Sequence, residues 1–138
     1  MCGRFSLTQE PIALIEGLNL FDAREQSLIP RYNIAPTQQV AAVVEVKKGD
    51  RRLGHMRWGL IPFWADDPKI GNRMINARSE TAAEKPAFRR SFRKRRCLVL
   101  ADGFYEWHKL ADRDTKQPYR VMVGDEEVFA LAGLWNRW

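Results

Sequence analysis

The chain has 138 residues, which fits a single domain, and its 45% apolar content excludes an intrinsically disordered protein. Lysine and arginine number 23 against 17 aspartates and glutamates, and the net charge of +6 suits a polyanionic partner as well as an ordinary soluble protein. The two cysteines, Cys2 and Cys97, lie far apart, which argues against a disulfide scaffold or a zinc site and fits a reducing compartment. We therefore expect one domain that uses no metal and no organic cofactor.

The N-terminal half combines a short helix with strand-like segments. Residues 8–18 predict a helix, because Pro11 suits a first turn and apolar residues recur at spacings of three and four. Residues 31–38 are polar and contain a proline, so we interpret them as a loop. The β-branched residues 39–46 predict a strand, which a turn connects to a returning strand over 51–59.

The C-terminal half begins with an irregular segment over 60–81, and long irregular segments in compact domains are often functional. Residues 81–96 predict a second helix, with a capping box formed by Thr81 and Glu84. Strand-like stretches then alternate with turns that contain glycine or aspartate, over 97–109, 118–123 and 127–135. These elements predict an α+β domain dominated by antiparallel sheet.

No segment of the chain predicts a membrane association. The first twenty residues carry charges and lack the apolar run of a signal peptide. No other apolar run approaches the length of a membrane-spanning helix.

The first candidate for chemistry is Cys2, which follows the initiator methionine in the stretch MCGRF. Removal of Met1 would place a free α-amine and a thiol on one residue. Such a 1,2-aminothiol can form a Schiff base with an aldehyde and then close a thiazolidine ring. Alternatively, the amine can act as a base for the thiol, as in N-terminal-nucleophile enzymes. The alternative without chemistry is a small residue that merely permits methionine removal.

Two further motifs carry polar side chains suited to a reaction. Asn76 and Arg78 lie two residues apart, so on an extended segment they face one side, where the amide can orient an oxygen and the guanidinium can hold a phosphate. Glu106 follows a turn in a strand-like stretch and suits general acid–base catalysis. The alternatives are a solvated arginine beside an asparagine turn and a glutamate that faces solvent. We interpret His55 and His108 as solvated rather than catalytic.

A basic run and loop aromatics suggest nucleic-acid binding. Residues 89–96 place six positive charges in eight positions, and Phe88 and Phe92 supply apolar anchors on one face of the predicted helix. Phe63 and Trp64 could stack on unpaired bases. The alternatives are a solvated helix face and two aromatic side chains packed in the core.

Seven stretches of the sequence occur together in the order typical of one family: MCGRF, RYNIAPTQ, RWGLIPFW, NARSET, KPAFR, RRCLVLADGFYEW and ALAGLW. On these motifs the chain resembles the SOS response-associated peptidase (SRAP) family, and the resemblance covers essentially all 138 residues. It implies a SRAP-like α+β fold, a single antiparallel-sheet-dominated and barrel-like domain with a few short helices.

The resemblance also implies a function. It implies an abasic-site sensor in single-stranded DNA, in which Cys2 forms a thiazolidine DNA–protein crosslink after Met1 is removed, with an associated autopeptidase-type activity. It assigns Asn76 to positioning the amine and the sugar oxygen, and Glu106 to acid–base catalysis. It implies DNA contacts for Arg4, Pro36, Trp64 and Arg78. The basic run adds Arg89 and Arg90 to these predicted contacts.

One departure from the family concerns the C-terminal side. Family members continue past the last predicted strand to a His-x-Arg-Met-Pro stretch, whose histidine is implied to aid ring opening, and residues 1–138 contain none. We therefore expect a C-terminally truncated SRAP domain whose edge strand can pair with another molecule. Two other functions stay open, an N-terminal-nucleophile peptidase or amidase and a non-catalytic fragment that binds single-stranded nucleic acid. The expected location is the bacterial cytoplasm, with nucleoid association when bound to DNA.

Overall fold

The computed structural model describes residues 2–20, 28–111, 114–125 and 127–138. These ranges contain eight β-strands: β1 Phe5–Leu7, β2 Arg31–Ile34, β3 Gln39–Lys47, β4 Asp50–Arg57, β5 Arg96–Ala101, β6 Gly103–Lys109, β7 Lys116–Val121 and β8 Phe129–Leu134. Short helices lie between them: α1 Ile12–Gly17, a 3₁₀ helix Pro68–Arg73, α2 Ser79–Ala82 and α3 Arg89–Lys94. None of the helices in the described ranges is long and apolar enough to cross a membrane.

The strands form two antiparallel sheets of four strands each. The first has the order β2-β1-β6-β7 and the second has the order β4-β3-β5-β8. The predicted α+β domain dominated by antiparallel sheet is therefore confirmed, whereas the barrel-like closure is wrong. In the described part of the chain, no strand of one sheet is paired with a strand of the other. The two sheets contact each other through apolar side chains.

The core lies where the apolar faces of the two sheets meet. The second sheet contributes Val40, Val43 and Leu53, and the first contributes Phe5 and Ile34, each at most 4% exposed. Burying one such side chain stabilises the fold by about 1.5–3 kcal/mol. The chain passes from the first sheet to the second between β2 and β3, returns between β5 and β6, and passes to the second sheet again between β7 and β8.

The predicted loop over 31–38 is wrong in its first half, because residues 31–34 form β2. This strand pairs with β1, and Ile34 lies opposite Phe5 and is buried in the core. Tyr32 and Asn33 are exposed, so the segment carries little apolar pattern of its own. Pairing with a distant strand therefore determines its structure, which local composition does not reveal.

The predicted helix over 81–96 is divided into α2 and α3 by turns around Pro86. Proline lacks a backbone N–H and disfavours helical geometry at the residue before it, so a continuous helix is broken there. The capping box is wrong as well, because Thr81 lies inside α2, whose N-cap is Arg78. Phe88 is buried whereas Phe92 is 40% exposed, so these two rings do not share one packed face.

The remaining predictions differ from the structure mainly in their bounds. α1 is shorter than 8–18, and Pro11 is its N-cap. Leu14, Ile15 and Leu18 pack against the core as predicted, but Ile12 is 56% exposed. The hairpin of β3 and β4 is confirmed. The predicted stretch 97–109 is two strands in different sheets, β5 and β6.

Candidate active site

The N-terminal residues are held against β6 by β1. The backbone N–H of Tyr105 donates to the carbonyl of Arg4 at 2.9 Å. The Phe5 ring is buried and packs on Trp58, with the ring centroids 5.2 Å apart. Cys2 therefore precedes an anchored strand rather than a free tail. Met1 lies outside the described residues.

Cys2 is half-buried and is hydrogen-bonded through both its thiol and its carbonyl group. Sγ donates to the carbonyl of Arg4 at 3.4 Å, and the Cys2 carbonyl accepts a hydrogen bond from Nδ2 of Asn76 at 2.6 Å. Burial raises the pKa of the Cys2 thiol above its ordinary value. A hydrogen bond with the Arg4 backbone opposes this rise, and the negative charge of Glu106 adds to it. The thiol is therefore mainly protonated at neutral pH.

Asn76 lies in the segment between the 3₁₀ helix and α2. Nε1 of Trp58 donates to the carbonyl of Ile75 at 2.8 Å, and the same indole packs on Phe5 of β1. Trp58 therefore connects the Asn76 segment to the strand that follows Cys2. The sequence analysis missed this residue, because neither contact lies within reach of a local sequence pattern.

Glu106 lies in β6, half-buried, opposite Tyr119 of β7. Side chains alternate along a strand, so Glu106 shares a face with His108, while its two aromatic neighbours lie on the other face. His108 is exposed, and its ring lies edge-on to Tyr119 with the centroids 6.4 Å apart. His55 on β4 is also exposed, which agrees with the interpretation of both histidines as solvated.

Arg4 points its guanidinium to β2. Nη1 donates to Oδ1 of Asn33 at 2.8 Å. The hydroxyl of Tyr105 donates to the carbonyl of Tyr32 at 2.8 Å, which joins β6 to the same strand. Part of the segment that was predicted as a loop therefore holds the Arg4 side chain, and Asn33 is a second residue that the sequence analysis missed.

The predicted DNA-contacting aromatics are exposed, and one of them contacts the basic run. We refer to Phe63, Trp64, Arg89 and Arg90 together as the aromatic–basic surface. Phe63 and Trp64 are 55% and 48% exposed, so the alternative in which they pack in the core is wrong. The guanidinium carbon of Arg90 lies 4.5 Å from the centroid of the Phe63 ring, a cation–π contact that connects α3 to the loop. Both arginines are exposed.

Arg78 and Pro36 are two further predicted site residues, and in the described ranges neither is hydrogen-bonded to Cys2. Arg78 is exposed on an extended backbone two residues after Asn76, and its carbonyl accepts the first hydrogen bonds of α2. Pro36 is half-buried in the turn between β2 and β3. In the described ranges, no hydrogen bond or ion pair joins Arg78, Pro36 or Trp64 to Cys2. The structure thus joins Cys2 to Asn76 by a hydrogen bond, and the charge of Glu106 raises the pKa of the Cys2 thiol.

A resident metal has no candidate ligand set in the described part of the chain, where no group of three or more histidine, cysteine, aspartate or glutamate side chains could hold an ion. Both cysteines are free, and Cys97 is buried in β5. Burial raises the pKa of the Cys97 thiol to about 11.

Several known proteins are similar to this chain. The abasic site processing protein YoqW of Bacillus subtilis is 46% identical over 139 residues, covering 100% of this chain and 61% of that protein. The abasic site processing protein HMCES of Xenopus tropicalis is 33% identical and covers 100% of this chain and 52% of that protein. The chain thus spans about half to three fifths of the length of these relatives.

Solved structures agree with the fold. A protein from Bacteroides thetaiotaomicron matches 97% of this chain and 61% of its own chain, with a TM-score of 0.75 at 26% identity. A phage-related protein from Bordetella bronchiseptica matches 96% of this chain and 60% of its own, with a TM-score of 0.73 at 31% identity. The sequence model of the SOS response-associated peptidase family matches residues 1–138. With every residue covered by that model, the chain belongs to the SRAP family.

Proposed function

We propose that this chain processes abasic sites in single-stranded DNA, and that Cys2 forms a thiazolidine crosslink with the ring-opened sugar once Met1 has been removed. The observation that carries the proposal is the grouping of an N-terminal aminothiol residue with an amide and a carboxylate. Nδ2 of Asn76 lies 2.6 Å from the Cys2 carbonyl oxygen, and the negative charge of Glu106 adds to the rise in the pKa of the Cys2 thiol. The names of the two relatives, both abasic site processing proteins, support the same substrate.

The proposed reaction balances without a cofactor. The α-amine of Cys2 adds to the C1′ aldehyde of the ring-opened sugar and forms a carbinolamine. Loss of water gives an imine, and the sulfur then adds to the imine carbon while the thiol proton passes to nitrogen. The product is a five-membered ring formed from one aldehyde and one aminothiol, with one water released.

The raised pKa of the Cys2 thiol supports this order of steps. With Met1 attached, burial and the charge of Glu106 disfavour the Cys2 thiolate, so the thiol is a weak first nucleophile and we propose that the α-amine freed by Met1 removal adds first. A cysteine peptidase needs the opposite, a thiolate stabilised by a lowered pKa. The peptidase alternative is therefore less well supported by the environment of Cys2.

Asn76 and Glu106 take complementary roles in the proposed reaction. Because Asn76 holds the Cys2 carbonyl, it fixes the direction in which the α-amine of the same residue points. Glu106 can accept the proton of the sugar C1′ hydroxyl as the ring opens, and it can return a proton as the carbinolamine loses water. General acid–base help of this kind contributes roughly 10²–10⁴-fold in rate.

The contacts with DNA are proposed to lie on both sides of this cluster. Arg4, held by Asn33 at 2.8 Å, and the exposed Arg78 are suited to phosphates beside the lesion. The aromatic–basic surface offers exposed rings for stacking on unpaired bases, with Arg89 and Arg90 for the backbone. Pro36 is proposed to contact bases at the junction between single-stranded and double-stranded DNA.

The two cysteines of the chain provide a matched test. The purified protein is incubated with an oligonucleotide that carries one abasic site and with the same oligonucleotide intact, and a denaturing gel resolves adducts. We expect an adduct with abasic DNA only, its loss in Cys2→Ala, and its retention in Cys97→Ala. An undiminished adduct in Cys2→Ala would contradict the proposal, and salt-sensitive binding with no adduct would favour the non-catalytic alternative.

A further inference from the structure

Asp102 is a fully buried carboxylate at the point where the chain passes from β5 to β6, and it lies outside the reaction described above. Its Oδ1 accepts a hydrogen bond from Oγ of Ser6 at 2.6 Å and pairs with Nη2 of Arg120 at 3.0 Å. Its Oδ2 accepts from Oγ1 of Thr8 at 2.6 Å, from the backbone N–H of Gln9 at 3.0 Å and from the backbone N–H of Thr8. Every donor comes from β1, from the two residues that follow it, or from β7.

These contacts keep Asp102 ionised. Burial alone would raise the pKa of its carboxyl, but the hydrogen bonds from Ser6, Thr8 and Gln9 together lower it to about 2. A buried carboxylate that lost these donors would be strongly destabilising, because its charge would be left uncompensated. The β1 segment is therefore bound to Asp102 in one arrangement.

Backbone hydrogen bonds also join the β1 segment to β6 and to the residue before it. The N–H of Asp102 donates to the carbonyl of Ser6 at 2.9 Å, and the N–H of Tyr105 donates to the carbonyl of Arg4 at the same distance. Nε of Arg120 adds a contact to Oγ of Ser6 at 3.2 Å. Gly103 makes room for this arginine, because a Cβ there would lie 2.6 Å from Nε. Three strands of the first sheet are thus fixed at one point.

The positions of Cys2 and Glu106 in the chain connect the Asp102 network to the reaction. Cys2 lies three residues before β1 and Glu106 lies within β6, and these two strands pair with Ser6 opposite Gly103, the residue that follows Asp102. A shift of one residue between paired strands turns every side chain of the shifted strand to the opposite face. The register that Asp102 holds therefore sets where the Cys2 segment lies relative to Glu106.

We infer that Asp102 is a positioning residue for the crosslinking reaction, which fixes β1 against β6 through Ser6, Thr8 and Arg120 and thereby holds Cys2 beside Glu106. This inference rests on the proposed function. Asp102 touches neither the DNA nor the reacting atoms. Its effect passes through the geometry of the two residues that do.

The test is a double-mutant cycle on the first-order crosslinking rate at saturating abasic oligonucleotide. We expect Asp102→Asn to lower this rate about tenfold or more while the affinity for the intact oligonucleotide stays unchanged. We also expect Glu106→Gln to cost much less on the Asp102→Asn background than in the wild type, because residues that act together are not additive. Full multiplication of the two effects, or an unchanged rate in Asp102→Asn, would overturn the inference.

A matched control separates positioning from general stability. Leu53→Ala removes a buried side chain from β4 in the second sheet, and its thermal midpoint serves as the reference for a destabilised fold. In this variant we expect the crosslinking rate of the folded protein and the full effect of Glu106→Gln to be retained. If Asp102→Asn does not fold, Ser6→Ala repeats the cycle with one hydrogen bond removed. A wild type that forms no adduct overturns the proposed function itself, whereas an additive cycle in an active wild type overturns only the role of Asp102.

Discussion

The Cys2 site and the aromatic–basic surface are built in opposite ways. At the Cys2 site, Cys2 is half-buried and tied by hydrogen bonds to Arg4 and Asn76. On the aromatic–basic surface, Phe63 and Trp64 are about half exposed, and a single cation–π contact from Arg90 orders one of the rings. The difference fits two tasks, since a reaction needs fixed geometry, whereas stacking on bases of any sequence needs accessible rings.

The largest expected effect is a loss of crosslinking rate at the Cys2 site without a loss of affinity for DNA. We expect Glu106→Gln to lower the saturated crosslinking rate by about 100-fold or more, because the amide cannot accept a proton. The affinity for single-stranded DNA should change little. Single-turnover time courses measure the rate, and fluorescence anisotropy measures the affinity.

The matched control for this carboxylate is His108→Gln, which alters an exposed side chain on the same face of β6. A loss of rate in His108→Gln as large as that in Glu106→Gln would show that the face of the strand, and not the carboxylate, determines the rate.

A second prediction contrasts a buried carboxylate with an exposed one. The pKa of Asp102 is lowered from 3.8 to about 2, so its contribution to stability is present above pH 4 and is lost as the pH falls towards 2. That contribution is about 2–3 kcal/mol at neutral pH. Denaturant unfolding between pH 5 and pH 2 should show this loss in the wild type and not in Asp102→Asn.

The control is Asp50→Asn, which removes a solvent-accessible partner of Arg52 at 3.1 Å at the start of β4. An exposed pair of this kind contributes little, so the acid dependence of this variant should follow that of the wild type. An equal loss of acid dependence in both variants would contradict the special role of the buried network.

The third prediction concerns the aromatic–basic surface. We expect Trp64→Ala to weaken binding of single-stranded DNA roughly tenfold, since stacking of one base contributes about 1–3 kcal/mol. The crosslinking rate at saturation should remain that of the wild type. Trp107→Ala is the matched control, because Trp107 is 44% exposed, against 48% for Trp64, and lies on β6. If Trp64→Ala lowers the saturated rate instead of the affinity, the two regions are not separate in function.

The smallest effect is expected for a single arginine of that surface. Arg90→Ala should reduce the slope of the logarithm of affinity against the logarithm of salt concentration by about 0.7, the value for one phosphate contact on a single strand. Arg52→Ala, in β4, should leave the slope unchanged. Equal slopes in Arg90→Ala and the wild type would remove Arg90 from the interface.

The sequence predicted the fold class, and it predicted that Cys2, Asn76 and Glu106 take part in the same reaction. Strand pattern was sufficient for β3 and β4, where β-branched residues and a turn lie close together in the chain. The grouping of Cys2 with Asn76 and Glu106 came from the family resemblance, because no local pattern connects residue 2 to residue 76. Proline was underweighted, since Pro86 divides the helix that its flanking residues predicted.

The residues that the sequence did not reveal act through distant partners. Asp102 accepts from Ser6 at a separation of 96 residues, and Arg4 donates to Asn33 at a separation of 29. In the sequence, Asp102 precedes Gly103, a combination typical of turns. Only the pairing of β1 with β6 shows that its carboxylate is buried and surrounded by donors.

The central claim is that both reactive groups of Cys2 are joined to the sugar, and intact-mass spectrometry tests it most directly. After incubation with an abasic oligonucleotide, we expect a species whose mass equals the Met1-free chain plus the oligonucleotide minus one water, stable without a reducing agent. Digestion should place the modification on Cys2 and leave no Cys2 thiol to alkylate, while Cys97 remains free. An adduct on another residue, an adduct that needs reduction to survive, or no adduct on a correctly processed chain would contradict the claim.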